Sequence, residues 1–219
     1  MKAIKVFCIA LCLLALNGLH AEQLNAQDLI DNPALDEKVK VFLSAQSGEW
    51  HDWNIPMSDG QILYDLVIKG NYKSALEIGT STGLSGIYIA WALSKTGGKL
   101  ITIEIDESRH KTALKNFEQA GLSEYIDARL ADAHSLVKEL EGPFDFVFSD
   151  ADKNWYINYF RDVDPKLKVG GCFTAHNISE RSRSGYQAEY LEYVRSLENY
   201  ESTLHSGSSI LISYKRAEK

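Results

Sequence analysis

From Ser74 to Tyr214, short apolar, β-branched runs alternate with helical runs, and this alternation constrains the fold more than any other feature. Residues 75–78 read as a short strand, 84–95 as a helix and 99–105 as a second strand. Residues 107–120 carry a helical apolar stripe that stops at Gly121, a common helix terminator. A third strand is expected over 126–130, and a short helix over 133–140 that Gly142-Pro143 ends. Residues 144–149, Phe-Asp-Phe-Val-Phe-Ser, are nearly all apolar, as a central strand covered on both faces must be. A helix over 154–167 broken by Gly170-Gly171, a strand over 172–175 and a helix over 186–197 follow. Residues 200–206 and 209–214 read as two strands whose short link at Gly207 forces them antiparallel. The expected class is α/β: a doubly wound, mostly parallel seven-stranded sheet, an antiparallel C-terminal strand, and helices on both faces.

Upstream the signals differ in kind. Lys2 and Lys5 precede an unbroken apolar run over 6–16, Asn17-Gly18 breaks it, and Ala21 precedes Glu22. That layout predicts a signal peptide over residues 1–21 and an exported, periplasmic or secreted chain. The run falls short of the ~20 apolar residues of a comfortable membrane span, so no stable span is expected; an uncleaved anchor is the alternative. Residues 22–56 read as an N-terminal helical extension, helix-permissive over 25–32 and 34–47 and divided at Asn32-Pro33. A Trp-rich connector over 48–56 leads into the main domain, 57–219, where Ser58 is placed to cap a helix running to Ile68.

Composition narrows the partners. With 30 acidic against 23 basic residues the net charge is −7, and no basic run could follow a phosphate backbone, so no nucleic acid is expected. Of three cysteines, Cys8 and Cys12 lie in the leader. Cys172 alone remains, so neither a disulfide framework nor a cysteine metal site is available, and its apolar setting predicts a buried, inert thiol.

Chemistry concentrates at strand ends. The loop after residue 78 places Gly79, Gly83 and Gly86 around Thr80, Ser81 and Ser85, so that a ligand can approach the main chain and a helix N-terminus. The spacing differs from the dinucleotide Gly-x-Gly-x-x-Gly pattern, and Glu77 just before it suits a cationic ligand better than a pyrophosphate. Glu104 closes the next strand, where an acid can accept ribose hydroxyls. Asp132 and Ala133 close the third strand, beside the place for an adenine ring. Asp150, Asp152 and Lys153 emerge from the fourth, and His176 and Asn177 from the fifth. Asp150, His176 and Asn177 together form a plausible divalent-cation site.

These pieces resemble the cation-dependent O-methyltransferase family that includes catechol and caffeoyl-CoA O-methyltransferases, a group with a Rossmann-like fold that uses S-adenosylmethionine. The similarity runs from about residue 60 to 214. It rests on Asp59-Gly60-Gln61-Ile62-Leu63, Leu76-Glu77-Ile78-Gly79-Thr80, Asp150-Ala151-Asp152-Lys153, Gly170-Gly171 and Glu201-Ser202-Thr203-Leu204, in order and near the family spacing. The resemblance implies cofactor contacts at Glu77, Gly79, Thr80, Ser85, Glu104, Ala133 and Asp152; the loop reading adds Ser81 and Gly83, and Asp132 borders the adenine. It implies a metal ligand at Asp150 that also touches substrate, a base at Lys153, a ligand at Asn177, and a homodimer. His176 departs from the family, which usually has Asp there. Losing a carboxylate should weaken Mg²⁺ and favour Mn²⁺ or another transition ion, or remove the metal altogether. The expected acceptor is a small hydroxylated, catechol-like aromatic. The segment after Asn177 is too short to support a bulky CoA ester, and Trp50, Trp53 and Trp155 are either walls for an aromatic or packing. Competing readings are a nicotinamide oxidoreductase, a tRNA hydroxyuridine O-methyltransferase and a non-catalytic cofactor-binding protein.

Overall fold

Side chains of a strand alternate faces with period 2, and in this chain the alternation feeds two separate cores. In β1 (Ser74–Ile78), Ala75 enters one apolar cluster while Leu76 and Ile78 enter the other. The computed structural model describes residues 29–50 and 52–218; the expected signal peptide at 1–21 lies outside the described residues. The remaining strands are β2 (Lys99–Glu104), β3 (Ile126–Leu130), β4 (Phe144–Ser149), β5 (Leu167–Ala175), β6 (Tyr200–Leu204) and β7 (Leu211–Lys215). They form one seven-stranded sheet in the order β3-β2-β1-β4-β5-β7-β6. Pairing is parallel except at β7, which is antiparallel to both β5 and β6. The expected class therefore holds.

Helices α1 (Pro33–Ala45), α2 (Met57–Gly70), α3 (Leu84–Thr96) and α4 (Glu107–Ala120) cover one face of the sheet. Helices α5 (Ala133–Glu139), α6 (Tyr156–Val163) and α7 (Gly185–Arg195) cover the other. From β1 the chain winds outward through β2 and β3, then returns to place β4 on β1's other side. The gap between the carboxyl ends of β1 and β4 is the topological switch point, where sheets of this kind leave a crevice.

Helix α3 is buried along its whole length, so its one lysine needs a partner. Lys95 finds it in Asp36 of α1, whose carboxylate accepts from Lys95 Nζ at 2.6 Å and from Trp91 Nε1 at 2.7 Å. Leu35, Val39, Phe42 and Leu43 of α1 also join the first core, so this part of the N-terminal extension packs with the sheet domain.

Four local expectations need correction. Ser58 is not a cap: α2 starts at Met57 after Pro56, whose φ of −59° already suits a helix start, and no side chain caps it. The helix expected over 154–167 is shorter. Single 3-10 turns at Lys153–Trp155 and Asp164–Lys166 flank α6, because Pro165 has no N–H to continue it. Strand β5 begins at Leu167 and runs through Gly170-Gly171, with its irregularity absorbed by a register shift against β4 between Phe144 and Phe146. Upstream, residues 29–32 are not helical; Asn32 instead caps α1 by accepting from the Leu35 N–H at 3.2 Å. Cys172 is fully buried as expected, and burial pushes its thiol well up.

Candidate active site

A cleft of about 710 Å³ opens at the switch point, within the size range of small-molecule sites. The loop after β1 supplies Gly79, Thr80 and Ser81 to its wall, and the first turn of α3 adds Ser85. Glu104 comes from the end of β2; Asp132 and Ala133 follow β3. Asp150, Asp152 and Lys153 follow β4, and His176 and Asn177 follow β5. Of the expected site residues, only Glu77 and Gly83 stand outside this wall.

Each of those two has a physical reason. Gly83 has a φ of +101°, and a Cβ there would sit 2.6 Å from the Phe117 ring, so this glycine serves packing of α4. Glu77 turns beneath the loop and is fully buried. Its Oε2 accepts from Thr102 Oγ1 at 2.5 Å, and its Oε1 has no hydrogen-bond partner among the described residues. Burial pushes this carboxyl up to about 8, against the lowering effect of the Ser85 and Thr102 hydroxyls. Gly79 must be glycine: its φ is +103°, and a Cβ would lie 2.9 Å from the Asp150 carbonyl carbon. Its N–H and that of Thr80 donate to Ile103 O, which pins the loop to β2.

Glu104 is held in place before any ligand arrives. Oε2 accepts from the Ser81 N–H at 2.7 Å, and Oε1 accepts from the N–H groups of Ile105 and Asp106. Arg109, from the first turn of α4, approaches Oε1 at 3.7 Å. The carboxylate therefore presents a fixed, oriented acceptor to the cleft.

At the other end of the cleft lies a chain of charged groups. Lys153 Nζ pairs with Asp150 Oδ1 and donates to Tyr156 Oη at 3.0 Å, and that hydroxyl donates to His176 O at 3.1 Å. The second oxygen of Asp150 faces His176 Nδ1 at 3.2 Å. His176 Nε2 faces Asp59 Oδ2 at 2.9 Å. The imidazole thus bridges two buried carboxylates. Burial pulls its pKa down, but the hydrogen bonds and charges of Asp150 and Asp59 outweigh that and raise it above its ordinary value.

Sequence reasoning missed several of these groups. Asp59 was visible only as part of a motif, because nothing in the chain links it to residue 176. His134 stands on the cleft wall beside Asp152 at 3.3 Å and packs on Trp155, ring centres 4.5 Å apart. Its position two residues after Asp132 was the available signal. Among the tryptophans, Trp53 borders the cleft and is 83% exposed. Trp50 packs edge-on against Phe42, and Trp155 against His134, so neither lines the cleft.

Comparison with known proteins bears on this arrangement. The O-methyltransferase family model matches residues 25–195. The chain belongs to that family. It is 36% identical over 135 residues to caffeoyl-CoA O-methyltransferase 1 of Eucalyptus globulus, covering 58% of this chain and 54% of that one. It is also 36% identical over 129 residues to a catechol O-methyltransferase of Niastella koreensis, covering 57% and 58%. The chain thus spans a little over half the length of the curated relatives it matches. Among solved structures, an O-methyltransferase from Bacillus cereus in complex with SAH has the same fold, with a TM-score of 0.67 and 24% identity, covering 85% of this chain and 92% of that one. TomG from Streptomyces achromogenes, in complex with SAM, matches with a TM-score of 0.65 and 20% identity, covering 91% and 100%.

The strand-end reading expected a divalent cation on Asp150, His176 and Asn177, and the family resemblance implied ligands at Asp150 and Asn177. The fold does bring all three to one wall, but their donors do not fit an ion. Both oxygens of Asp150 and both nitrogens of His176 already face protein partners, and one of these is the Lys153 ammonium. Among the described residues no cluster of three His, Cys, Asp or Glu is arranged to hold a metal.

Proposed function

We propose that this member of the family transfers a methyl group from S-adenosylmethionine to a hydroxyl of a small aromatic acceptor. One observation carries the reading: a single cleft joins the glycine loop and Glu104 at one end to the Lys153–Asp150 pair at the other. The residues present fit the cofactor. Glu104 is oriented to accept ribose hydroxyls, and Asp132 and Ala133 border the position for the adenine. The unpartnered Glu77 oxygen lies under the loop that would meet the positively charged half of the ligand. When bound, the cofactor supplies an electrophilic methyl carbon on a sulfonium sulfur.

The chain's own residues then handle the acceptor. A phenol titrates near 10, so its hydroxyl needs help to lose a proton at neutral pH. Lys153 is the residue placed to accept that proton, and Asp150 beside it stabilises the ammonium. Tyr156 Oη holds the amine in reach of the cleft. No step is assigned to a divalent ion. The relatives named for caffeoyl-CoA and catechol support an aromatic acceptor with adjacent hydroxyls, and exposed Trp53 offers it an apolar surface at the rim. Export through residues 1–21 and a homodimer complete the proposal; N-terminal sequencing of the exported chain and sedimentation test them.

Calorimetric titration with S-adenosylmethionine, followed by methyl transfer to catechols, tests the central reading. Absence of binding at millimolar cofactor would overturn it. Lys153→Met should lower kcat by about 10²–10⁴, the usual contribution of a positioned base, with cofactor affinity retained.

A further inference from the structure

We propose that Asp59 and His176 fill the place that the family resemblance gives to a divalent ion, so that this chain organises its acceptor site without one. The proposal rests on the methyl-transfer reading for what the site is used for, but its evidence is independent of turnover. A carboxylate from α2, an imidazole from the end of β5 and a carboxylate from the end of β4 form one hydrogen-bonded chain. All three side chains are at least nine-tenths buried, at 7%, 8% and 10% exposure in that order.

Three features of this chain oppose an ion. For His176 to ligate, a ring nitrogen must turn its lone pair outward, yet each nitrogen faces a carboxylate at 3.2 Å or less. A bare lone pair in either position would meet carboxylate oxygens in a weakly screened interior. Next, either oxygen that Asp150 offered an ion already faces a partner, Lys153 on one side and His176 on the other. Last, the incoming charge would stand beside the Lys153 ammonium.

Asp59 is a positioning residue in this scheme. Its acid sits in the first turn of a helix whose other buried residues are Gly60, Leu63, Leu66 and Val67, and the His176 ring is its ion-pair partner. An isolated carboxylate there would be costly, so the pair holds the ring in the bridging position. The ring in turn keeps Asp150 oriented toward Lys153. The His that stands where the family usually has Asp thus has a buried acid as partner in this chain.

Manganese binding to the full chain, read by electron paramagnetic resonance with S-adenosylmethionine binding measured on the same sample, tests this. The wild type should bind cofactor and take up no Mn²⁺, and its methyl transfer should persist in excess chelator. His176→Asp, which restores the family carboxylate, should raise Mn²⁺ affinity by about tenfold or more, the scale on which ligand surroundings act. If that variant does not fold, Asp59→Asn supplies the same test, because it frees one end of the ring. One Mn²⁺ per wild-type chain, lost in Asp150→Asn, would overturn the proposal. So would a folded, cofactor-binding His176→Asp chain with no gain in Mn²⁺. Failure to bind S-adenosylmethionine refutes the methyl-transfer reading and leaves the Mn²⁺ result standing.

Discussion

Asp59 and His176 are 117 residues apart in the chain and 2.9 Å apart in the fold, carboxylate to imidazole, both buried. Because its two acids raise the histidine's folded pKa, the pair has a signed effect on stability. The contribution is fully present below the unfolded value near 6.5, and is lost as pH rises through the folded value. His176→Gln is therefore expected to cost more stability at about pH 6 than at about pH 9, when urea unfolding is followed at both. Equal losses at the two values would show that the imidazole does not carry charge between Asp59 and Asp150.

Glu77 has the opposite sign. Its folded carboxyl is raised from 4.5 to about 8, so the folded chain holds a proton that the unfolded chain releases. The resulting cost is absent below the unfolded value, grows as pH rises, and is complete above about 8. Glu77→Gln removes it. At alkaline pH and without cofactor the variant should be the more stable form, and a gain of about 1 kcal/mol would appear as roughly 2–4 °C in Tm. The same substitution should weaken S-adenosylmethionine binding, since it neutralises the acid beneath the glycine loop. Calorimetry and thermal unfolding on one preparation read both effects, and a variant that gains neither stability nor a binding defect contradicts the assignment.

Glu104 is already fixed by three backbone N–H groups, so it needs little ordering to meet a ligand. Glu104→Gln keeps one acceptor oxygen and loses the charge. Cofactor affinity should fall by about 1.5–3 kcal/mol, the range for hydrogen bonds to a charged partner. The melting temperature without cofactor should fall less than for a buried-core substitution, because the loop retains its bonds to Ile103 O.

Asp36 tests the join between α1 and the sheet domain. Asp36→Ala leaves Lys95 and the Trp91 indole N–H, both on buried α3, without their acceptor. A loss of about 1–3 kcal/mol is expected from unsatisfied buried donors, read as a lower urea midpoint at unchanged m value. The double variant Asp36→Ala/Lys95→Met should recover part of it, because an apolar side chain tolerates that environment.

Much of this molecule was legible in the chain itself. The nearly all-apolar run of β4 read as a strand covered on both faces, and the alternation of strands with helices left a parallel sheet as the economical solution. Gly121 ended α4 in a left-handed turn, as terminators do. The glycine loop, Glu104, Asp150 and Lys153 were found because they sit at strand ends, and strand ends of a doubly wound sheet converge on one edge. Where reading failed it failed at local punctuation. Pro56 displaced Ser58 as the helix start, and Pro165 cut short a helix whose apolar pattern ran on.

What sequence alone determined was therefore set by periodicity and by short-range chemistry: which segments are strands, where loops turn, and which acids lie next to which glycines. Those properties depend on neighbours a few residues away and survive in the one-dimensional record. The tertiary structure decided which groups pair across long separations. Asp59 reaches His176 because the first turn of α2 meets the end of β5, one Glu77 oxygen is buried without a partner among the described residues, and both oxygens of Asp150 face partners. Electrostatics in a buried site depends on distance and desolvation, and neither is encoded by spacing along the chain.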